Sequence, residues 1–209
     1  IAGGNELALH CDLVVASDGA ASQTRAQFND VFEPELRKGT NWFLWCDAEQ
    51  PMSGLTFVFR RAYGGWIWNQ AYQYDERHST VILECDEAAY AGLQASPGSH
   101  ADRVRAAAAV FGTALAGESL RWVATTSGSS PWRQFPWVRC KRWHRGNVVL
   151  VGDAAHTAHF SVGAGTKLAM ADAVALRDQL FGGAGTLEQR LAAYTADRVA
   201  ALSRVQWLA

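Results

Sequence analysis

The sequence predicts a mixed α/β (α+β) fold in which an antiparallel β-sheet is inserted into an α/β framework. Two observations, one near each end of the chain, predict this framework. Near each end of the chain a short apolar strand runs into a turn that contains aspartate and glycine, and a helical pattern follows each turn. The third observation is the stretch 40–85, where β segments alternate with short turn sequences, as is typical of antiparallel sheets.

Composition excludes several classes of protein. The chain has 209 residues, 19 Lys+Arg against 20 Asp+Glu, and 49% apolar residues, which fits a globular domain rather than a disordered or strongly basic nucleic-acid-binding one. The longest mostly apolar run, 106–117, has 12 residues, whereas a membrane-spanning helix needs about 20. No signal-peptide pattern opens the chain. We therefore expect a cytoplasmic protein without nucleic-acid or membrane partners.

The first elements follow from local signals. The β-branched run 11–17 predicts a buried strand that ends at Asp18-Gly19, and Ser22 is placed to cap a short helix over 23–28. Four β segments at 41–47, 55–61, 65–74 and 79–85 then predict an antiparallel meander. The third segment alternates most clearly, with Trp66, Trp68, Gln70, Tyr72 and Tyr74 on one face. Such a face is usually only packed sheet; the functional alternative is one wall of an aromatic substrate pocket.

The second half returns to α/β character. Helical patterns cover 87–93 and 101–115, the stretch 119–146 is mixed, and an apolar strand at 147–151 ends at Gly152-Asp153. Helices are predicted over 166–181 and 187–208. The four cysteines have no metal-ligand spacing, so we interpret them as reduced, buried small hydrophobic residues.

Two segments could carry chemistry. In 149–172 a strand delivers Asp153 to its carboxyl end, and the turn Gly163-Ala164-Gly165 opens a helix whose N–H groups point at whatever lies beyond. In 12–25 a strand delivers Asp18-Gly19, with Arg25 on the following helix. Each has a structural alternative, since Asp153 could only cap a turn and Asp-Gly is among the commonest turns. The occurrence of both segments in one chain, about 135 residues apart, is less easily explained by chance than either segment alone.

On these motifs the chain resembles the carboxy-terminal two-thirds of flavoprotein monooxygenases of the para-hydroxybenzoate hydroxylase type. That family has an amino-terminal GxGxxG, a middle Asp-Gly motif and a late Gly-Asp motif; only the second and third are present, so we expect a fragment. The implied fold is the carboxy-terminal part of a Rossmann-like FAD-binding fold with an inserted antiparallel β-sheet substrate domain. The implied domains are 1–30 and 141–185 for FAD, 31–140 for substrate, and a carboxy-terminal helix over 186–209.

The resemblance implies a set of cofactor contacts. Asp153 would bind the FAD ribitol, Gly163 to Gly165 would approach the pyrimidine edge of the flavin, and the helix that begins near Thr166 would stabilise negative charge there. Asp18 and Gly19 would support FAD and the nicotinamide donor, and Arg25 would contact the diphosphate. The full implied set is Asp18, Gly19, Arg25, Gly152, Asp153, Ala154, Gly163, Ala164, Gly165 and Thr166.

Departures from the family pattern indicate a subgroup. Phe160 stands where many members have proline, and Lys167 where many have asparagine. The string 159–169 instead resembles hydroxylases of aromatic coenzyme A thioesters, such as salicylyl-CoA or 2-aminobenzoyl-CoA. The implied pocket residues are Trp66, Trp68, Tyr72, Gln134, His159 and Phe160. The basic residues Arg139, Lys141, Arg142 and Arg145 form either solvated surface or a contact for CoA phosphate.

The function so implied is FAD- and NAD(P)H-dependent hydroxylation of an aromatic substrate, an aryl-CoA thioester, by oxygen transfer from a flavin hydroperoxide. No general base is named from the sequence, and whether a reductase domain follows Ala209 stays open. We expect the fragment alone to be inactive and poorly stable, because the strands that end at Asp18 and Asp153 would lack their parallel neighbours.

Several alternatives remain. Gly65-Trp-Ile-Trp68 is similar to a string in flavin-dependent halogenases, although Asn69-Gln70-Ala71 breaks that signature. A reductase of the same fold and a non-catalytic binding module are the others. His156 and His159 lack a third metal ligand, so we expect no metal. The segment 163–167 lacks the residue order of a nucleotide-hydrolysing phosphate loop.

Overall fold

The computed structural model describes residues 10–112, 120–122 and 130–206, with side chains up to residue 202. The chain divides into two compact units. Unit 1 comprises Ile1–Arg37 and Pro136–Ala209, and unit 2 comprises Lys38–Phe135. We predicted domain boundaries after residues 30 and 140, whereas the two units divide after Arg37 and after Phe135. The predicted carboxy-terminal helix falls within unit 1.

Among the described residues, pairs of helices separate runs of strands along the chain. The elements are β1 (Val14–Ala16), α1 (Gln23–Gln27), α2 (Asn29–Phe32), β2 (Pro34–Ala48), β3 (Thr56–Ala62), β4 (Gly65–Gln73), β5 (Ser79–Cys85), α3 (Glu87–Ala95), α4 (His100–Ala109), β6 (Leu120–Trp122), β7 (Arg133–Cys140), β8 (His144–Arg145), β9 (Val148–Leu150), α5 (Gly165–Gly182) and α6 (Leu187–Gln206). The mixed α/β fold class is confirmed.

Unit 1 is built on a three-stranded sheet in the order β1-β9-β8. Strands β1 and β9 are parallel, with Ala16 opposite Leu150, and β8 is antiparallel to β9. Our expectation that these two strands lack parallel neighbours was therefore wrong, because each is the other's neighbour. A second difference is that β1 is not buried, since Val14 and Val15 are 37% and 47% exposed.

Helices α5 and α6 pack against each other beside this sheet. Their core includes Leu176 and Leu191, which lie with Leu150 and Trp143 among the buried residues of unit 1. Each fully buried side chain of this kind stabilises the fold by about 1.5–3 kcal/mol. Helix α5 begins one residue before the predicted start, and α6 begins where it was predicted.

Unit 2 contains a six-stranded sheet. Five strands follow the order β3-β4-β5-β2-β6, and β7 pairs with β2 outside that order. All of its registered pairs are antiparallel. The predicted simple meander was wrong, because the first strand, β2, returns to lie beside β5 and beside β6 rather than beside β3.

Helices α3 and α4 contribute to the buried core of unit 2. Leu93 of α3 and Val104 of α4 are fully buried together with Ile67 and Leu83 of the sheet. Both helices have strong caps: Asp86 accepts a hydrogen bond from the Ala89 N–H, and Ser99 forms a capping box with Asp102. The predicted helix over 101–115 ends at Ala109, and its last three residues lie outside the described part of the chain.

Three of the four cysteines, Cys46, Cys85 and Cys140, are buried as predicted. Burial raises the pKa of the Cys140 thiol to about 11, which keeps it protonated at neutral pH. Cys11 differs, because it is exposed. None of the helices within the described residues combines the length and the apolar character that crossing a membrane requires.

Candidate functional site

Asp18 closes the turn after β1. Gly19 has φ +79°, a left-handed conformation that favours glycine, and the Ser22 N–H donates to its carbonyl. The Asp18 carboxylate accepts hydrogen bonds from the Ser22 hydroxyl at 2.6 Å and from the Thr24 N–H at 3.0 Å. Partial burial works to raise the Asp18 pKa, but these hydrogen bonds outweigh it and the pKa is lowered. Asp18 thus supports the first turn of α1, whose N-cap residue is Ser22, and its contact with FAD stays a prediction.

Asp153 lies at the same sheet edge, because β1 and β9 are parallel and their carboxyl ends meet there. Gly152 has φ +63°, and a Cβ atom at this position would lie 3.0 Å from the Cβ of Ala169 on α5. The Asp153 side chain is exposed, and no donor in the described part of the chain hydrogen-bonds its carboxylate. Asp153 is therefore available to an external partner, unlike Asp18.

Arg25 joins the two turns. It is 5% exposed, and its guanidinium donates to the Ala154 carbonyl at 2.9 Å and to the Ala20 carbonyl at 2.6 Å. These bonds connect the Asp18 turn to the residue that follows Asp153. The diphosphate contact that the resemblance implies for Arg25 stays a prediction, but the positioning role is visible in the structure.

We expect Arg25→Gln to destabilise the protein by about 1.5–3 kcal/mol, since hydrogen bonds from a charged donor are lost and buried carbonyl groups are left without a donor. Thermal unfolding measures the effect. Arg177→Gln is the matched control, because the Arg177 side chain is 63% exposed and its ion-pair partner is its neighbour Asp178. Equal melting temperatures for the two variants would contradict the linking role.

The third predicted element is the start of α5. Gly163 adopts a left-handed conformation with φ +63°, and Ala164 precedes the first helical residue, Gly165, without any side-chain hydrogen bond that caps the helix. A Cβ atom on Gly163 or Gly165 would meet nothing within 4 Å. Within the described part of the chain, no side chain caps the first N–H groups of α5, and Thr166 beside them is exposed.

The two histidines of this segment differ in role. His156 is 2% exposed and donates from Nε2 to Asp172, so it orders the loop as predicted. His159 lies half-buried with its ring centroid 4.2 Å from that of Phe160. Burial lowers the pKa of His159 and keeps it neutral at physiological pH. No group of metal-ligating side chains occurs among the described residues.

In unit 2 one sheet face is rich in aromatic side chains. The register places these residues on the same side of the sheet, and we call them the aromatic face: Phe43, Trp45, Phe57, Phe59, Trp66, Trp68 and Tyr72. Phe59 and Trp68 stack at 5.9 Å, and the Arg61 guanidinium lies 5.0 Å above the Trp66 ring. Trp66 is 45% exposed, so this face is not simply a packed core. The opposite face, with Ile67, Asn69 and Ala71, is buried.

The predicted pocket residues fall into both units. Trp66, Trp68 and Tyr72 share the aromatic face, and Gln134 lies half-buried on β7 in the same unit. His159 and Phe160 belong to unit 1. Their joint role in one pocket stays a prediction.

Sequence reasoning missed Glu84, which lies in register between Trp68 and Phe43 on the aromatic face. It is 3% exposed, and its carboxylate accepts hydrogen bonds from Asn41 Nδ2 and from Trp68 Nε1, both at 3.1 Å. Glu84 therefore fixes the indole of a predicted pocket residue. The available signal was an acidic residue within the apolar run 81–85.

Burial raises the pKa of Glu84, although the two hydrogen bonds lower it. A carboxyl group whose pKa is raised in the folded state binds more protons there than in the unfolded state. The free energy of unfolding therefore falls as the pH rises from the pKa of the unfolded state, about 4.3, to the pKa of the folded state. We expect Glu84→Gln to remove this fall, so that its melting temperature relative to the unsubstituted protein increases between pH 4 and pH 8. The control is Glu76→Gln at an exposed position. A difference that does not change with pH would contradict the prediction.

Two residues of the basic segment 139–145, Arg139 and Lys141, line a cavity of about 780 Å³ in unit 1. Lys141 Nζ lies 3.0 Å and Arg142 Nε 3.6 Å from the carboxylate of Glu33, and Arg145 covers the Phe28 ring at 4.4 Å. Contact with Lys141 is the main cause that lowers the pKa of Glu33. Two of the four cations therefore already have a carboxylate partner, which favours the solvated-surface interpretation.

Comparisons with known proteins bear on this arrangement. Residues 2–207 match a family model described as FAD binding domain. The salicyloyl-CoA 5-hydroxylase of a Streptomyces species is 36% identical over 203 residues, which are 93% of this chain and 38% of that protein. The 3-hydroxy-4-methyl-anthranilyl-[aryl-carrier protein] 5-monooxygenase of Streptosporangium sibiricum is 36% identical over 81% of this chain and 43% of its own length. The chain thus spans less than half of these relatives.

A solved structure gives the same fold. PqsL from Pseudomonas aeruginosa, described as a probable FAD-dependent monooxygenase, superposes with a TM-score of 0.65 at 21% identity. The superposition covers 93% of this chain and 53% of that one. These comparisons confirm the resemblance and the fold class inferred from the two motifs.

Proposed function

The chain belongs to the FAD-binding domain family, and from that premise we propose that the whole protein is an FAD- and NAD(P)H-dependent monooxygenase that hydroxylates an aromatic substrate, an aryl-CoA thioester. One observation carries the proposal. The exposed Asp153 carboxylate lies at the edge where two parallel strands end, and Arg25 connects its turn to that of Asp18. This edge is where α/β sheets bind their ligands.

The residues present fit FAD. Asp153 offers an unengaged carboxylate to hydroxyl groups, as a ribityl chain requires. The start of α5 offers N–H groups that no side chain of the described residues caps, and no described atom occupies the space beside Gly163 and Gly165. In this proposal Asp153 holds the ribityl chain, and residues 163–166 lie against the pyrimidine edge.

When bound, FAD supplies the electron transfer and the oxygen chemistry of such reactions. The contribution of this chain is electrostatic and steric. The N-terminal end of α5 carries a partial positive charge that stabilises negative charge near it. The aromatic face holds a planar ring, and Glu84 keeps the Trp68 indole in place.

The thioester class is supported by the names of the relatives and by the aromatic face. Both relatives carry names that specify an aromatic acyl group on a carrier, coenzyme A in one and an aryl-carrier protein in the other. Exposed aromatic rings on one sheet face suit the aryl part of such a substrate. Molecular oxygen is the second substrate in this proposal.

The test uses protein from the complete reading frame, incubated in air with NADH or NADPH and one aromatic compound. Salicyloyl-CoA and 2-aminobenzoyl-CoA are compared with their free acids, and products are identified by mass spectrometry. We expect a thioester product that has gained one oxygen atom, and no such product from the free acids. Preference for a free acid would overturn the thioester assignment. A halogenated product in the presence of halide, or no product from any compound, would overturn the hydroxylase proposal.

A further inference from the structure

A buried polar cluster lies directly behind the Asp153 turn, and the proposed function does not use it. We call it the Asp172 cluster; it consists of Asp172 on α5, Arg198 on α6 and His156 in the loop. Asp172 is 0%, His156 2% and Arg198 8% exposed. Burying ionised groups is costly unless each is paired and hydrogen-bonded, so such a cluster needs a reason.

The carboxylate of Asp172 is the centre of the cluster and accepts three hydrogen bonds. Its Oδ1 accepts from Arg198 Nε at 2.7 Å. Its Oδ2 accepts from His156 Nε2 at 2.7 Å and from the backbone N–H of Gly152 at 3.0 Å. Burial works to raise the Asp172 pKa, but the partners outweigh it and the pKa is lowered, so the group is ionised at neutral pH.

Geometry also indicates the state of His156. Its Nδ1 atom is buried and has no hydrogen-bond partner among the described residues. A protonated imidazole would place a second N–H there without an acceptor, which is unfavourable. The neutral Nε2–H form satisfies Asp172, and the ring lies stacked on Trp143 with centroids 5.0 Å apart. The cluster then contains one negative and one positive charge, on Asp172 and Arg198.

The contact that matters for the site is the one with Gly152. This residue has a left-handed backbone, packs against Ala169, and immediately precedes Asp153. Its N–H has Asp172 as acceptor, so the position of the turn depends on a side chain from α5 that Arg198 of α6 in turn orients. Both oxygens of the Asp172 carboxylate are engaged, which holds it in one geometry, whereas Arg198 Nη2 is buried without a hydrogen-bond partner among the described residues.

We infer that Asp172 is a positioning residue for Asp153: by holding the Gly152 N–H, it fixes the carboxylate that binds the FAD ribityl chain. This inference rests on the proposed function. Arg198 and His156 act through Asp172, and none of the three contacts FAD in this account. Asp172 lies within the late Gly-Asp segment of the sequence, but its partner Arg198 is 26 positions further on.

The test compares Asp172→Asn with Asp178→Asn, an exposed aspartate on the same helix, in protein from the complete reading frame. Asparagine has the shape of aspartate, but its amide NH2 group cannot accept a hydrogen bond. At least one of the three hydrogen bonds from Arg198, His156 and Gly152 is therefore lost. We measure the dissociation constant of FAD at a temperature where each apoprotein is folded. We expect Asp172→Asn to weaken binding about tenfold, as loss of an outer partner does for metal ligands, and Asp178→Asn to leave it unchanged.

A merely structural role would lower the melting temperature of Asp172→Asn and leave the dissociation constant of the folded protein unchanged; that result overturns the inference. His156→Gln, which keeps a donor near Asp172, should bind FAD more tightly than Asp172→Asn, and the opposite order also overturns the inference.

If Asp172→Asn does not fold, amide exchange in the unsubstituted protein decides. The Gly152 N–H should then be protected, and exchange at the rate of an exposed amide overturns the inference. Failure of the unsubstituted protein to bind FAD would instead refute the proposed function.

Discussion

Replacing Asp153 by alanine is expected to weaken FAD binding by about 10- to 100-fold. The substitution removes a hydrogen bond between a charged acceptor and a ribityl hydroxyl, and hydrogen bonds to charged groups contribute about 1.5–3 kcal/mol. Because the Asp153 side chain is exposed, the free energy of unfolding of the apoprotein should change by no more than about 0.5 kcal/mol. A large loss of affinity with little loss of stability distinguishes a ligand-binding carboxylate from a structural one.

Fluorescence titration of the apoprotein with FAD measures this affinity, and thermal unfolding without FAD measures the stability. Asp18→Asn is an informative comparison, because Asp18 engages Ser22 and Thr24 within its own turn. We expect its effect to fall mainly on stability. An Asp153→Ala protein that binds FAD as tightly as the unsubstituted one would exclude Asp153 from the cofactor site.

Trp143→Ala is expected to have the largest effect on folding. Trp143 is 2% exposed, stacks on His156 at 5.0 Å and meets the ring of Tyr194 edge-on at 5.8 Å. Truncating a buried tryptophan leaves a cavity and costs about 3–5 kcal/mol. For a protein of this size that corresponds to a fall of about 6–20 °C in melting temperature.

The matched control is Phe181→Ala, since Phe181 is 87% exposed although it is also a large aromatic residue in unit 1. Its melting temperature should stay close to that of the unsubstituted protein. Denaturant unfolding provides an independent measure, and both variants should keep the same slope against denaturant. A Trp143→Ala protein as stable as Phe181→Ala would contradict the account of the unit 1 core.

Local sequence signals predicted the elements that depend on neighbouring residues. Ser22 caps α1, the alternating pattern of β4 sorts buried from exposed residues, and α6 begins at Leu187 as expected. Each of these depends on spacing along the chain, on which the helix and strand periods impose a pattern. The two aspartate turns were found for the same reason.

Arrangements that depend on distant residues were not predictable in this way. The place of β2 beside β5 depends on pairing across the sheet, and β7 was hidden in a stretch where tryptophan, arginine, serine and proline obscure any period. Glu84 was missed as well, and Asp172, although it ends the segment 149–172, was given no role. A buried carboxylate is tolerated only through its partners, such as Trp68 for Glu84 and Arg198 for Asp172, and these come from other elements.

The visible absorption spectrum of the protein from its complete reading frame tests whether the protein is a flavin-dependent monooxygenase. We expect the bands of oxidised flavin, which NAD(P)H bleaches and air restores. A folded protein that is colourless, and that stays colourless after addition of FAD, would contradict this expectation and would favour a non-catalytic binding module.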